Sequence, residues 1–242
     1  MSFYFNIMEK HQEISDKTLY IVPTPIGNLE DITLRAIRIL QNADIIACED
    51  TRHTGNLIKK LEINTNAKLI SYFEHNENER TNFLVNEIEN GKVVALVSDA
   101  GTPAISDPGY RLIDKAIKNN VKITPLPGAS AFIPALIASG LPVHNFTFWG
   151  FPPQKKGRKT FINKVMNCEN TSILYEASHR IIKLIGEIAE IDDNRNICVA
   201  REISKIFEEY IRFNTSDFLN NKIKIVEKGE FVIIIEGNKF CL

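Results

Sequence analysis

The sequence predicts an α/β protein of two successive units, and three features carry that expectation. Residues 19 to about 140 alternate short apolar runs with amphipathic segments five times, the pattern of a parallel sheet covered by helices on both faces. The run Val93-Val94-Ala95-Leu96-Val97 shows no polar alternation, as a strand buried on both faces requires. Leu141-Pro142-Val143-His144-Asn145 then has a linker's composition, and new strand and helix patterns begin at Phe146. The expected division is an N-terminal extension over 1–17, an α/β domain over 18–140, the linker 141–145 and a second α/β domain over 146–242. A chain of 242 residues is long enough for two domains of roughly 120 each.

In the first unit the strands are expected at 19–22, 44–48, 68–72, 93–97 and 121–126. Asp31 or Thr33 caps the first helix, whose Leu34, Ile37 and Leu40 share a face, and Thr51 caps the second. Acidic residues suit the start of the third helix, which buries Phe83, Leu84 and Ile88 and stops at Gly91. Residues 110–118 are amphipathic, and Pro127-Gly128-Ala129-Ser130-Ala131 opens an apolar helix. The second unit offers strands at 172–175, 197–200, 208–213 and 231–236, with helices near 158–165 and 179–191. Residues 1–17 read as a loose extension, with Met8 a possible start.

Composition excludes more than it selects. A net charge of -1 makes no general appeal to nucleic acid or membrane. The most apolar region, 133–143, is broken by Pro134, Gly140 and Pro142 and is too short to span a bilayer, and the N-terminus lacks the pattern of a secretory signal. Cys48, Cys168, Cys198 and Cys241 are widely spaced without CxxC. Three lie in apolar runs and read as buried thiols of a reducing cytoplasm, and no His or Cys spacing suits a metal.

Candidate chemistry lies at strand ends, where an open parallel sheet binds ligands. The fourth strand runs into Ser98-Asp99-Ala100-Gly101-Thr102-Pro103-Ala104-Ile105-Ser106-Asp107-Pro108-Gly109, two consecutive small-residue turns holding two carboxylates. Gly101 permits close backbone approach to a ligand, Pro103 and Pro108 stiffen the turns, and Asp99 can face a crevice. The first strand stops at Pro23-Thr24-Pro25-Ile26-Gly27-Asn28-Leu29, whose single glycine makes neither a GxGxxG nor a GxxxxGK[ST] motif and so counts against NAD and ATP enzymes. The second strand ends in Glu49-Asp50-Thr51-Arg52-His53-Thr54, more ionisable groups than capping needs. Gly128, Ala129 and Ser130 at a helix start leave N–H groups for an anion or a nucleoside hydroxyl. In the second unit Lys155, Lys156, Arg158 and Lys159 follow an aromatic residue. Cations are slightly unfavourable at a helix start, so this run points to phosphate contact. His179-Arg180 and Arg201-Glu202-Ile203-Ser204-Lys205 follow strand ends of the same unit.

Five blocks in order, 23–33, 48–52, 74–77, 98–109 and 127–131, make the chain resemble the tetrapyrrole-methylase superfamily from residue 18 to about 237. Within it, the chain is similar to the branch that methylates small-subunit ribosomal RNA. The resemblance implies two α/β domains with S-adenosylmethionine (SAM) in a cleft between them, a homodimer, and 2'-O-methylation of a cytidine ribose in 16S ribosomal RNA. It implies the small ribosomal subunit as partner. Carried over by position, the cofactor contacts are Thr102, Ile105, Gly128, Ala129, Ser130, Tyr175, Ala200 and Phe231; Gly27, Asp99 and Gly101 join them from the reading of the loops. Relatives that methylate porphyrin-like rings typically have a first loop richer in glycine, and carry Gly-Asp-Pro where this chain has Gly101-Thr102-Pro103. That favours the RNA branch over the alternative, a methylase of a tetrapyrrole or other small molecule.

Methyl transfer from a sulfonium to a ribose hydroxyl is an in-line displacement in which positioning supplies much of the catalysis. The hydroxyl is a weak acid and profits from a general base. Asp50, Glu74, His75 and Asp99 are the candidates, with Asp50 and His75 ranked first because Arg52 and Asn76 could orient the ribose or its phosphate.

Overall fold

A computed structural model of the chain describes residues 13–238, so the expectations for residues 1–12, including Met8, and for Cys241 lie outside the described residues. The chain forms two compact units, one from residues up to Thr24 together with Glu30–Gly128, the other from Pro25–Leu29 and Ala129 onward.

The first unit is a five-stranded parallel sheet of β1 (Thr18–Ile21), β2 (Ile45–Cys48), β3 (Lys68–Ser71), β4 (Val93–Leu96) and β5 (Lys122–Pro125), in the order β3-β2-β4-β1-β5. Its three inner strands are buried at every position, while the lysine-bearing β3 and β5 lie partly exposed at the edges. Successive residues feed opposite faces, as the two-residue strand period demands. Leu19 and Ile21 pack with Leu84 and Ile88 of α3 (Glu77–Glu89) and with Leu112 of α4 (Tyr110–Lys118). Tyr20 and Val22 pack with Ile39 and Leu40 of α1 (Leu34–Asn42), and Ile58 of α2 (Thr51–Lys60) packs against the same core. Each such fully buried aliphatic side chain stabilises the fold by roughly 1.5–3 kcal/mol. Between the two cap candidates of α1 the structure chooses Thr33, which accepts from the Ala36 N–H at 3.0 Å.

From β1 the chain crosses to β2 and β3 on one side, whereas from β4 it crosses to β5 on the other. The β1–β4 boundary is therefore the point at which the winding reverses, and ligands of doubly wound sheets sit outside the carboxyl ends at such points.

The second unit is a mixed sheet of β6 (Phe146–Gly150), β7 (Thr171–Ala177), β10 (Glu230–Ile235), β8 (Asn196–Arg201) and β9 (Glu209–Asn214), in that spatial order, with only β6 and β7 parallel. α6 (Arg158–Met166) and α7 (Ile181–Ile191) bury Ile162, Val165, Leu184 and Ile188 on one face, and Phe218 of α8 (Thr215–Leu219), a helix the sequence does not signal, packs against the same core.

Two expectations are corrected here. The sequence pattern puts the apolar helix α5 (Phe132–Ala138) in the first domain, yet Ala135 and Leu136 pack against Ile173, Cys198, Val232 and Ile234 of the second sheet. The first sheet's two faces are already covered by four helices, so α5 finds its apolar partners on the second. Ile26 packs against that same cluster, which takes the loop 25–29 with it. Among the described residues no helix is long and apolar enough to cross a membrane, and no group of three or more His, Cys, Asp or Glu could hold a metal ion.

Candidate functional site at the carboxyl end of the first sheet

The turn that leaves β4 is a fixed object. Thr24 and Gly101 exchange both backbone hydrogen bonds at 2.9 Å, and the Thr24 hydroxyl donates to the Ser98 carbonyl at 3.0 Å. The Ser98 hydroxyl donates to the Gly101 carbonyl at 3.2 Å. At the far end of the turn the Gly109 N–H donates to Glu77 Oε1 at 3.1 Å, and Glu77 is itself held by Arg111 at 3.1 Å. Between these anchors Gly101, Ala104, Ser106 and Gly109 all have positive φ. For Ala104 and Ser106 the left-handed conformation costs roughly 1–2 kcal/mol each, and strain held this way marks functional loops. Thr24 takes both the N–H and the carbonyl of Gly101, so Gly101 shapes the turn and its amide is already paired.

Carboxylates gather where β2 and β4 end side by side. Asp99 accepts the Asp50 N–H at 3.2 Å. Burial pushes the Asp107 carboxyl up to about 6, with Glu49 and Asp99 adding repulsion and a Ser98 hydrogen bond opposing them. Burial also raises Glu49, again with help from Asp99 and Asp50. Both residues stand in blocks singled out in the sequence, but neither was assigned a role. Two carboxylates in consecutive turns were the legible signal, whereas the approach of Glu49 depends on β2 pairing with β4.

Asp50 is a correction. It, and not Thr51, caps α2, accepting the Arg52 N–H at 2.8 Å and a two-pronged contact from the Arg52 guanidinium at 3.2 and 2.8 Å. These hydrogen bonds hold its carboxyl well below the usual carboxylate range. A group that keeps its charge so firmly is a poor proton acceptor. Arg52 is exposed and occupied by Asp50. His75 is exposed, edge-on to Phe73 with ring centroids 6.3 Å apart, and Glu74 is exposed beside it. Asn76 was expected to orient substrate, but its amide closes its own turn, accepting from Phe73 N–H at 2.9 Å and donating to the Ser71 carbonyl at 3.1 Å.

Of the remaining first-unit candidates, Thr102 is half-buried and Ile105 exposed at 39% in the strained turn. Gly128 lies where a Cβ would sit 2.6 Å from Pro23 Cβ, so only glycine passes. In the second unit, Gly27 packs against the Lys205 side chain with no room for a Cβ. Ala129 and Ser130 lie in irregular backbone ahead of α5, which begins only at Phe132, so the expected helix start at 127–131 is displaced. Tyr175 is half-buried on β7, with Phe148 edge-on at 5.1 Å and Phe151 tilted at 5.4 Å. Ala200 and Phe231 have their side chains in the core, 0% and 3% exposed, so they can offer a ligand only backbone.

The basic run divides. Lys155, Lys156 and Lys159 are exposed. Arg158 is the correction: 5% exposed, it binds Glu187 at 2.8 Å, Glu176 at 3.1 Å and the Pro153 carbonyl at 3.3 Å. Glu176 is fully buried and also takes Arg180 at 2.7 Å, so these ions serve one another and Arg158 is withdrawn from RNA contact.

A profile of the tetrapyrrole (corrin/porphyrin) methylases matches residues 18–218. The chain belongs to the tetrapyrrole methylase family. Within it the chain is 46% identical over 232 residues to the ribosomal RNA small subunit methyltransferase I of Halalkalibacterium halodurans, covering 95% of this chain and 80% of that one. The proteins of the same name from Hydrogenobaculum and Escherichia coli O157:H7 are 45% and 42% identical over 219 and 238 residues, covering 90% and 96% of this chain and 94% and 82% of theirs. Among solved structures, the uroporphyrin-III-C-methyltransferase of Thermus thermophilus superposes with a TM-score of 0.62 over 90% of this chain and 94% of its own, at 17% identity. A Thermus thermophilus enzyme of that kind in complex with S-adenosyl homocysteine gives 0.56 over 90% and 96%, at 18% identity. At such identities the likeness to these tetrapyrrole methylases is one of fold.

Proposed function

We propose that this chain is a SAM-dependent methyltransferase of small-subunit ribosomal RNA, acting on the 2'-hydroxyl of a cytidine ribose. The observation that carries the reading is identity of 42–46% over at least nine-tenths of the chain to proteins named for that RNA. The likeness to the tetrapyrrole enzymes is far weaker. Assembly as a homodimer belongs to the same reading and rests on the sequence resemblance; the cytoplasmic setting rests on the widely spaced cysteines.

The first unit's residues fit the cofactor. The turn 99–106 is a run of mostly small residues in which Gly101, Ala104 and Ser106 hold positive φ and one apolar side chain, Ile105, is exposed. Thr102, Ile105, Asp99 and Gly128 are the residues here that would hold it, with Gly101 shaping the turn. Gly27, Ala129, Ser130 and Tyr175, together with the backbone of Ala200 and Phe231, are the second unit's assignments. When bound, S-adenosylmethionine supplies an electrophilic methyl group. A ribose hydroxyl that took up that methyl group would have to release its proton to a neighbouring base. Asp107 is the carboxylate suited to take it: near 6, it is mostly ionised at neutral pH yet keeps real proton affinity. His75, beyond the end of the edge strand β3, remains the exposed alternative.

Transfer of radiolabelled methyl from SAM to purified, unmodified small subunits tests the reading. Asp107→Asn is expected to slow single-turnover transfer by roughly 10²–10⁴-fold while SAM still binds. Absence of transfer by folded wild-type protein, to subunit or naked RNA, refutes it.

A further inference from the structure

The second unit carries a half-exposed aromatic ring that its fold has no evident need to display. β6 pairs in register with β7 up to Phe148, slips at Trp149 and resumes at Gly150, whose φ is 68°. Such a bulge re-aims the side chains that follow it and is common beside functional sites. Before the slip, Phe148 packs on the α5 side of the sheet, while Trp149 packs on the opposite core and donates to Ser172 Oγ at 3.0 Å. After it, Phe151 emerges 52% exposed, tilted against Tyr175 with ring centroids 5.4 Å apart. Behind it a row of rings gives rigid backing: Tyr175 meets Phe148, and Phe148 stacks on Phe132 at 4.9 Å.

The next residues supply charge. Lys155 and Lys156 lie exposed in the loop ahead of α6. The loop is held from beneath, because Arg158 binds the Pro153 carbonyl and is clamped by Glu176, the neighbour of Tyr175 on β7. One buried ion cluster thus ties the cationic loop to the strand that supports the aromatic ring. A fixed aromatic face with cations beside it is the combination that recognises single-stranded RNA, by stacking on a base and pairing with backbone phosphates.

We propose that Phe151 is a stacking platform for an unpaired base of the RNA substrate, with Lys155 and Lys156 on the adjoining phosphates and Arg158 a positioning residue for both. The inference rests on the RNA-methyltransferase reading and deepens it.

The test measures binding and methyl transfer separately, using unmodified small subunits, a fluorescein-labelled single-stranded RNA dodecamer and calorimetry with SAM. Phe151→Ala and Phe151→Leu are expected to weaken dodecamer binding roughly 5- to 150-fold, the range that base–aromatic stacking covers, while Phe151→Trp restores it. SAM affinity stays at the wild-type value in all three. The Phe151→Trp protein should also show RNA-dependent fluorescence quenching beyond that of Trp149 in wild type.

Wild-type affinity in Phe151→Leu would overturn the stacking role, since an apolar side chain would then suffice. Loss of SAM affinity with RNA affinity intact would overturn it in favour of a cofactor contact through Tyr175. Failure of the wild-type protein to methylate any RNA would strike the functional reading itself. An intact wild-type activity with unaltered Phe151→Ala binding would strike this inference and leave that reading standing.

Discussion

Replacing Asp107 by Asn separates the electrostatic argument from everything else at the site, because the two side chains match in size and the amide can still accept the Ser98 hydroxyl. The carboxyl rises from 3.8 to about 6 on folding, chiefly through burial and then through Glu49. A raised carboxyl means that the folded state disfavours the ion. The penalty is therefore absent below about 3.8, grows between there and about 6, and is constant at higher pH. A rise from 3.8 to about 6 corresponds to about 3 kcal/mol, which the remaining solvent contact of a partly buried group reduces to about 1–2 kcal/mol. Urea denaturation at a series of pH values from 4 to 8 reads this directly. Asp107→Asn should match wild type near pH 4 and exceed it by about 1–2 kcal/mol at pH 7.5, with the difference growing across that interval. Glu49→Gln should shrink the gain, since it removes the stronger of the two repelling carboxylates. A difference independent of pH, or an Asn variant less stable at pH 7.5, would refute the reasoning. The expected outcome is a more stable and less active protein, the trade found where a site holds an unfavourable charge for its chemistry.

Other expected outcomes follow from the same geometry. Single-turnover methyl transfer should rise with pH through about 6 in wild type and lose that limb in Asp107→Asn, whereas Asp50→Asn should keep it; stopped-time assays across pH 5–8 decide this. Replacing Lys155 and Lys156 together by Ala should flatten the log–log salt dependence of RNA binding by about 1.4, the slope lost with two single-strand phosphate contacts, and leave SAM binding unchanged. Arg158→Met should destabilise the fold by about 3–5 kcal/mol, because it strands buried Glu176 with Arg180 as its remaining partner; chemical denaturation measures it, and a surface-like loss below 0.5 kcal/mol, the usual ceiling at exposed sites, would contradict the burial argument. Light scattering should give twice the chain mass of 27.4 kDa, and a catalytically competent monomer would contradict the homodimer.

The first sheet was legible from the sequence because local pattern and tertiary role coincide there. The unbroken apolar run at β4 needs burial on both faces and has it, and the turn residues after it fall where a parallel sheet opens its ligand crevice. The aromatic and cationic composition of residues 151–159 was equally plain. Spacing could not show which cations stay in solvent, since burial of Arg158 depends on Glu176 and Glu187, 18 and 29 residues away. Nor could it show that Asp50 spends its charge on Arg52 while Asp107 is forced upward. Each of those depends on which strand ends become neighbours, and strand order is set by crossovers that leave no local mark. The same holds for α5, whose apolar composition requires some sheet to cover it but not a particular one. The sequence by itself determined which segments had to be buried and which loops carried chemical groups. Only the tertiary structure decided the partners of those groups, because a charge's proton affinity is set by neighbours in space.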